Sequence, residues 1–383
     1  MKLTSVELLE RLVAFDTVSH KSNLDLMAFV AEYLTSHAIP FVLAPNVTGD
    51  KVALYATIGP MRDGGVVLSG HTDVVPVQGQ AWTTDPFVLR QQGTRLYGRG
   101  ACDMKGFDAV CLAVAPELAK LPLQAPVHIL LSYDEETTCL GVMDIIARMG
   151  VDLPRPKAVI VGEPTSMQVA DAHKSVADYI TTVEGFEVHS SMPRAGVNAI
   201  SGAVLIAAEI DAILEEMVER GDPTGRFQPP YTTLQVGTIT GGTARNITAK
   251  DCRINWEFRG VPGLDDEEIP RRIDRFAREM VLPRLTRFGG KASIVTKLNV
   301  FVPGLAPEPG SVAETLAKRL TGSNSVITVP YGSEAGRFQK VGIPTVLCGP
   351  GDIAQAHQPD EYIEVSQITA CEAFVRKLGR ELI

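Results

Sequence analysis

Five polar clusters in this 383-residue chain place imidazole and carboxylate groups at the ends of apolar runs. They are SGHTDVVP, with His71 and Asp73; GRGACDMKG, with Asp103; SYDEETTC, with Asp134, Glu135 and Glu136; VGEPT, with Glu163; and GDIAQAHQPDE, with His357. Singly, each has an ordinary reading: a histidine after a strand as a hydrogen-bonded structural residue, an Asp-Glu-Glu run as a solvated surface. Together they form an imidazole and carboxylate donor set without cysteine. Such a set suits zinc, cobalt or manganese in hydrolysis, and about five such ligands hold two ions across a shared carboxylate. Charge also balances, because two divalent ions, three carboxylates and one hydroxide sum to zero, and a neutral site is buried at low cost.

Competing signatures are absent or poor. There is no GxSxG elbow, no GxxxxGK[ST] phosphate loop and no HExxH helix. Gly349, Gly351 and Ala354 spell a GxGxxA after the run IPTVLC, but Pro350 and Pro359 leave no room for a pyrophosphate-binding helix. Cys102 is a weak nucleophile candidate, since its neighbour Asp103 raises a thiol pKa.

To converge, these clusters need a common frame. The runs VALYATI, VVLSG, VHILLSY and AVIVG alternate with helical patterns at residues 24–37, 107–120 and 140–149. That alternation predicts an α/β domain with a mostly parallel sheet covered by helices, whose strand ends form a ligand crevice. From about Tyr179 the pattern becomes strand YITTVEGFEV, helix 198–220, strands TTLQVGTIT and CRINWEF, helix 265–285 and strand ASIVTKL. This β-α-β-β-α-β order predicts an inserted ferredoxin-like α+β unit. Its long helix has Asn198 as its cap, Gly221 and Pro223 beyond its end, and Leu205, Ala208, Ile213 and Met217 as its apolar face. A helix at 312–320, strand IPTVLCG and a helix at 365–380 then return to the first pattern. The expected organisation is a discontinuous catalytic domain, residues 1–176 and 289–383, interrupted by a lid at 177–288, with Gly289 and Gly290 as hinge candidates.

Composition narrows the partners. Lys and Arg number 36 against 45 Asp and Glu, a net charge of −9, which offers no basic field to a phosphate backbone and argues against nucleic acid. No window approaches the ~18 uninterrupted apolar residues of a membrane span. Glu7, Glu10 and Arg11 interrupt what would be the apolar core of an export signal, and the six cysteines are dispersed without a CxxC, so a cytoplasmic protein is expected.

In this order around an inserted ferredoxin-like segment, HTDVVP, GRGACDMKG, DEE, GEPT and AHQPDE resemble the dinuclear-zinc aminoacylase and carboxypeptidase superfamily of amidohydrolases. The resemblance extends over essentially the whole chain. Within that superfamily, YGSEAGRF at residues 331–338 and the segment AQAHQPDEYI resemble the acetylornithine deacetylases more than the succinyl-diaminopimelate desuccinylases. It implies two divalent metal ions, zinc or cobalt, with His71 and Glu163 on one, Glu136 and His357 on the other, and Asp103 between them. It further implies Glu135 as general base and Asp73 as the carboxylate that orients the His71 imidazole.

In the lid, the resemblance makes His189 of EVHSSMP the histidine that reaches the substrate carbonyl, often across a dimer interface, although Val188 stands where relatives carry a small residue. Asn246 and Arg259 are implied to grip the substrate carboxylate, and Glu334 to recognise the ornithine amine. The implied activity is metal-dependent hydrolysis of N2-acetyl-L-ornithine to L-ornithine and acetate, in arginine biosynthesis, by a cytoplasmic homodimer acting on a small N-acetylated amino acid. Desuccinylase, aminoacylase or dipeptidase activity is the alternative on the same scaffold. A metal-binding scaffold without turnover fits less well, since such relatives lose ligands or the base and this chain keeps all of them.

Overall fold

Four apolar runs form strands buried along their whole length: Val52–Ile58, Val66–His71, Val127–Ser132 and Ala158–Pro164. Continuous apolar character suits strands covered on both faces. The computed structural model describes residues 2–383, which divide into two units. The first comprises the described residues up to Ala172 together with Pro307–Ile327 and Ser333–Ile383.

The strands of its sheet run in the order Phe41–Pro45, Val52–Ile58, Val127–Ser132, Val66–His71, Ala158–Pro164, Thr345–Gly349 and Ala170–His173. Pairing is parallel from Val127–Ser132 through Val66–His71 and Ala158–Pro164 to Thr345–Gly349, and antiparallel where Phe41–Pro45 and Val52–Ile58 extend it. In the parallel centre His71 lies beside Ser132, and Ser69 beside Val161, so the loops after three strands leave from one end of the sheet. This is the crevice that open α/β sheets use for ligands.

The glycines of the GxGxxA decoy have backbone reasons. A Cβ on Gly349 would lie 1.9 Å from the Gly162 carbonyl oxygen, and Gly351 has φ of 87°. Only the short 3-10 turn Ile353–Gln355 follows them.

Helix Ser5–Val13 starts from a capping box in which Thr4 and Glu7 exchange hydrogen bonds. It packs with Val365–Glu381 against Lys105–Leu118, whose side chains are buried almost throughout. The Lys105 ammonium, fully buried, donates to the carbonyls of Leu12 (3.0 Å) and Phe15 (2.9 Å), which satisfies the end of the first helix. A small sheet not expected from the sequence, Arg90–Gln92, Arg95–Tyr97 and Tyr362–Glu364, ties the segment before GRGACD to the segment after HQPD.

The second unit is His173–Ala306 with Thr328–Gly332. Its antiparallel sheet runs Thr233–Gly241, Asp251–Arg259, Val176–Glu184, Ser293–Val302, with helices Ala199–Arg220 and Glu268–Phe276 in the same hydrophobic core. Chain order and strand order together are ferredoxin-like. This unit does not end at 288: Ser293–Val302 pairs along the whole of Val176–Glu184 and holds the chain in it as far as Ala306. Gly289 and Gly290 therefore lie inside the unit and not at its junction.

Asn198 caps the long helix by accepting the Ser201 N–H, and Gly221 at φ 65° ends it. Its buried stripe is Ala199, Ala203, Ile206, Ile210, Ile213 and Met217. Leu205 is only partly buried and Ala208 is exposed, because the 3.6-residue period places Ile206 and Ile210 inward instead. The second helix is not continuous over 265–285. A π-helical turn at Ala277–Val281 precedes Leu282–Thr286, where Pro283 cannot donate to the preceding turn. No helix among the described residues is long and apolar enough to cross a membrane.

Candidate metal centre

The five clusters meet at the carboxyl end of the parallel strands. His71 ends its strand, and its Nδ1 lies 2.9 Å from the Asp73 carbonyl oxygen. That contact leaves Nε2 facing Asp103 Oδ1 at 3.1 Å and Glu135 Oε2 at 3.8 Å. The other oxygen of Asp103, Oδ2, lies 3.3 Å from His357 Nε2, which is also 3.1 Å from Glu136 Oε2. Asp103 thus stands between the two imidazoles with one oxygen toward each. Ligand atoms of His71, Glu135 and Glu163 lie within 4.8 Å of one another, as do those of His71, Asp103 and Glu136.

Neighbouring groups set each acid. Asp134, at φ 56°, pairs with Lys51, so Glu135 and Glu136 alone of the acidic run enter the cluster. Asp73 is buried; its carboxylate accepts the backbone N–H groups of Glu135 (3.1 Å) and Glu136 (3.3 Å) and the Ser19 hydroxyl (2.7 Å). Cys139 donates to Glu135 Oε1 at 3.3 Å, leaving Oε2 toward the cluster. Glu163 is 3% exposed, and its Oε1 is buried with no hydrogen-bond partner.

The electrostatics follow from burying so many acids together. Burial, then repulsion from neighbouring carboxylates, pushes Glu135 up to about 8 and Glu136 up to about 7, and holds Glu163 well above the usual carboxylate range. Burial also works against ionised Asp103, but hydrogen bonds from His357 and His71 prevail and hold it below that range. Hydrogen bonds to Asp103 and Glu136 raise His357 to about 10. Burial disfavours protonated His71, yet Asp103, Glu135 and Asp73 outweigh it and raise the imidazole well above its ordinary value.

A divalent cation fits these residues. Four carboxylates and two imidazoles present acceptor atoms to a common centre, and the orphaned Glu163 Oε1 faces a buried setting that costs free energy without a positive partner. Neither group of candidate ligands includes a cysteine, and burial raises the thiols of Cys102 and of Cys139, which touches the cluster only as a donor to Glu135. Cys102 itself donates to the Asp352 carbonyl and is held well above a reactive thiol by burial, then by Glu361 and Asp103.

Glu334 has a different setting from the one expected. It is 1% exposed, and its carboxylate accepts from Ser69 Oγ (2.6 Å) and Ser132 Oγ (2.7 Å). Both oxygens are thereby engaged inside the first unit by hydroxyls on the strands that end at His71 and Ser132. Asp73 likewise differs in detail: its backbone carbonyl, not its carboxylate, makes the close contact with the imidazole, since the carboxylate oxygen is 3.6 Å away.

His189, Asn246 and Arg259 all belong to the second unit. His189 is exposed, pairs in a β-bridge with Ile247, and its Nδ1 lies 2.8 Å from Ser191 Oγ. The Asn246 carbonyl accepts the Ser190 N–H, so the His189 and Asn246 segments are neighbours. Arg259 ends its strand and donates to Glu257 at 3.0 Å.

Two residues missed in the sequence are Arg99 and Glu361. They form a buried ion pair, 2.7 Å between Nη1 and Oε2, and Glu361 Oε1 accepts the Asp103 N–H at 3.1 Å. Their signal was present as charged residues inside the two most chemistry-rich motifs, GRGACD and HQPDE.

Residues 67–381 match the model of peptidase family M20/M25/M40. The chain is similar to the acetylornithine deacetylase of Proteus mirabilis (strain HI4320), 33% identical over 372 residues, covering 95% of this chain and 93% of that one. Its fold resembles the aminopeptidase PepT of Bacillus cereus, with a TM-score of 0.75 at 19% identity over 99% of this chain and 98% of that one. It also resembles an M20 family metallo-carboxypeptidase of Sulfolobus solfataricus, with a TM-score of 0.73 at 18% identity over 98% of each chain. The chain therefore belongs to peptidase family M20/M25/M40 and is a hydrolase.

Proposed function

We propose that this hydrolase cleaves the amide of N2-acetyl-L-ornithine, giving L-ornithine and acetate, and so serves arginine biosynthesis as a cytoplasmic homodimer. The observation that carries the chemistry is Asp103 standing between His71 and His357, with Glu135, Glu136 and Glu163 around them. The similarity to a deacetylase of that name over nearly the full length of both chains supports the substrate.

Two divalent cations, zinc or cobalt, held by His71, Asp103, Glu136, Glu163 and His357, would polarise the amide carbonyl and lower the pKa of water at the site. Glu135 Oε2 takes the proton of the attacking water, Oε1 being engaged by Cys139. That carboxyl, raised by burial, then returns the proton to the leaving amine nitrogen. Asp73 keeps the Glu135 backbone in place through both transfers. On the family resemblance, the roles proposed for His189, Asn246 and Arg259 are donation to the developing oxyanion and binding of the substrate carboxylate.

The test is ornithine release from N2-acetyl-L-ornithine by protein stripped with chelator and titrated with zinc or cobalt. Activity that saturates near two equivalents per chain supports both site and substrate. Activity only on N-succinyl-diaminopimelate, other N-acyl amino acids or dipeptides would keep the metal centre and replace the substrate.

A further inference from the structure

Asp103 and His357 come from segments far apart in sequence, yet one buried charge pair bonds the backbone of Asp103 directly and reaches the backbone of His357 through Gln80. Glu361 is 2% exposed and Arg99 is 1% exposed. Glu361 Oε1 accepts the N–H groups of Cys102 (2.8 Å) and Asp103 (3.1 Å), while its Oε2 takes Arg99 Nη1 at 2.7 Å. The other end of the guanidinium, Nη2, donates to Gln80 Oε1. Gln80 Nε2 in turn donates to the carbonyl oxygen of His357 at 2.8 Å. Trp82 locks this arrangement: its Nε1 donates to the same Gln80 oxygen at 3.0 Å, and its ring lies under the Arg99 guanidinium, 5.0 Å from Cζ to centroid.

The segment so held needs holding. His357 has φ of 62° and Asp360 φ of 55°, left-handed conformations that residues with side chains rarely adopt unless the surroundings fix them. Asp360 Oδ1 accepts both the N–H (3.0 Å) and the hydroxyl (2.9 Å) of Thr83, fastening the same loop from the other side of Gln80. A planar guanidinium bridging a carboxylate and an amide oxygen gives this chain a fixed geometry that a lysine could not reproduce.

We propose that Glu361, Arg99 and Gln80 are positioning residues of the metal centre, which set the separation of Asp103 and His357 and so the affinity of the His357-side ion. This rests on the dinuclear reading above. Partners around metal ligands change metal affinity or activity by about 10- to 100-fold when removed. Gln80 touches His357 and not His71, so its loss should fall on one equivalent of metal. Glu361 touches Asp103, the shared ligand, so its loss should weaken both.

The experiment is cobalt titration of the chelator-stripped full chain by calorimetry and visible absorption, alongside thermal unfolding. It compares the parent, Gln80→Ala, Glu361→Gln, Arg99→Lys and Arg95→Ala. Arg95 belongs to the surface pair with Glu364 on the same small sheet and serves as control. The expected result is two equivalents in the parent and the control. In Gln80→Ala one equivalent is weakened by about tenfold or more with an altered cobalt spectrum, and Arg99→Lys behaves alike, because the fork is lost. Should Glu361→Gln fail to fold, the partly exposed Gln80 still decides.

Parental affinities and spectrum in folded Gln80→Ala overturn the proposal, as does equal weakening of both equivalents that merely tracks a fall in Tm. A parent that binds fewer than two equivalents overturns instead the dinuclear reading on which the proposal stands.

Discussion

The Asp73 carboxylate holds the backbone of Glu135, with Oδ1 3.1 Å from its nitrogen, while the Asp73 carbonyl oxygen holds the His71 imidazole. One residue therefore fixes the His71 imidazole through its main chain and the Glu135 backbone through its side chain, the proposed metal ligand and proton carrier. Asp73→Asn separates the two roles. The amide retains one acceptor oxygen where the carboxylate serves the Glu135 and Glu136 N–H groups with two, so one buried donor is stranded. We expect metal-saturated Asp73→Asn to lose about 10- to 100-fold in kcat/KM. Because the backbone contact to His71 remains, loss of metal affinity should be smaller than loss of turnover. Parental turnover at saturating metal would refute this division.

The adjacent acids Glu135 and Glu136 differ in their contacts, and their variants should differ accordingly. Glu136 lies 3.1 Å from His357 Nε2 and groups with His71 and Asp103, whereas Glu135 Oε2 is 3.8 Å from His71 Nε2. Glu135→Gln should keep two equivalents of metal and lose roughly 10²-fold or more in turnover, the usual contribution of a general acid–base group. Glu136→Gln should weaken one equivalent. Metal content by atomic absorption, read beside steady-state kinetics, makes the comparison, and equal metal loss in both variants would reverse the assignment.

Stability and metal affinity should respond to pH in opposite senses. Burial raises Glu135 to about 8 and Glu136 to about 7, against 4.5 for a free glutamate, and raises Glu163 as well. Between about pH 4.5 and 8 the metal-free native chain holds protons that the unfolded chain has released, so its stability falls as pH rises through that window. The raised histidines act in the same direction at higher pH, since His357 keeps its proton up to about 10. Metal must displace these protons, so its affinity should rise over the same range. Thermal unfolding of chelator-treated protein from pH 5 to 8 should show a decreasing Tm, and metal-loaded protein a flatter one. A Tm of the metal-free protein that climbs with pH across this window would contradict the buried-acid account.

The convergence of the polar clusters was legible in the sequence because His71, Glu163 and the Glu135 loop follow buried strand runs directly, where an open α/β sheet gathers its loops. The ferredoxin-like order was legible from the change in period after Tyr179, but its end was not. Gly289 and Gly290 read as a junction, whereas the half-exposed strand Ser293–Val302 shows where it belongs only through its pairing with Val176–Glu184. Arg99 and Glu361 were hidden for a related reason. Each reads as an ordinary charge in its own motif, and only their contact across 262 positions makes them a buried pair.

Glu334 shows the same limit, and the correction is testable. The resemblance implied that Glu334 recognises the ornithine amine, yet both its oxygens are taken by Ser69 and Ser132, on the strands that end at His71 and Ser132. Glu334→Ala leaves two buried hydroxyls without their acceptor, which costs about 1–3 kcal/mol for each unsatisfied group and should lower Tm by several degrees. Glu334→Gln keeps the shape and one acceptor oxygen and should be milder. In neither variant should the ratio of kcat/KM for N2-acetyl-L-ornithine to that for an N-acetyl amino acid with a neutral side chain change, because both carboxylate oxygens are engaged by strand hydroxyls. If that ratio collapsed in Glu334→Gln while Tm held, the carboxylate would have to reach the substrate amine, and the hydrogen bonds from Ser69 and Ser132 would not describe the working enzyme.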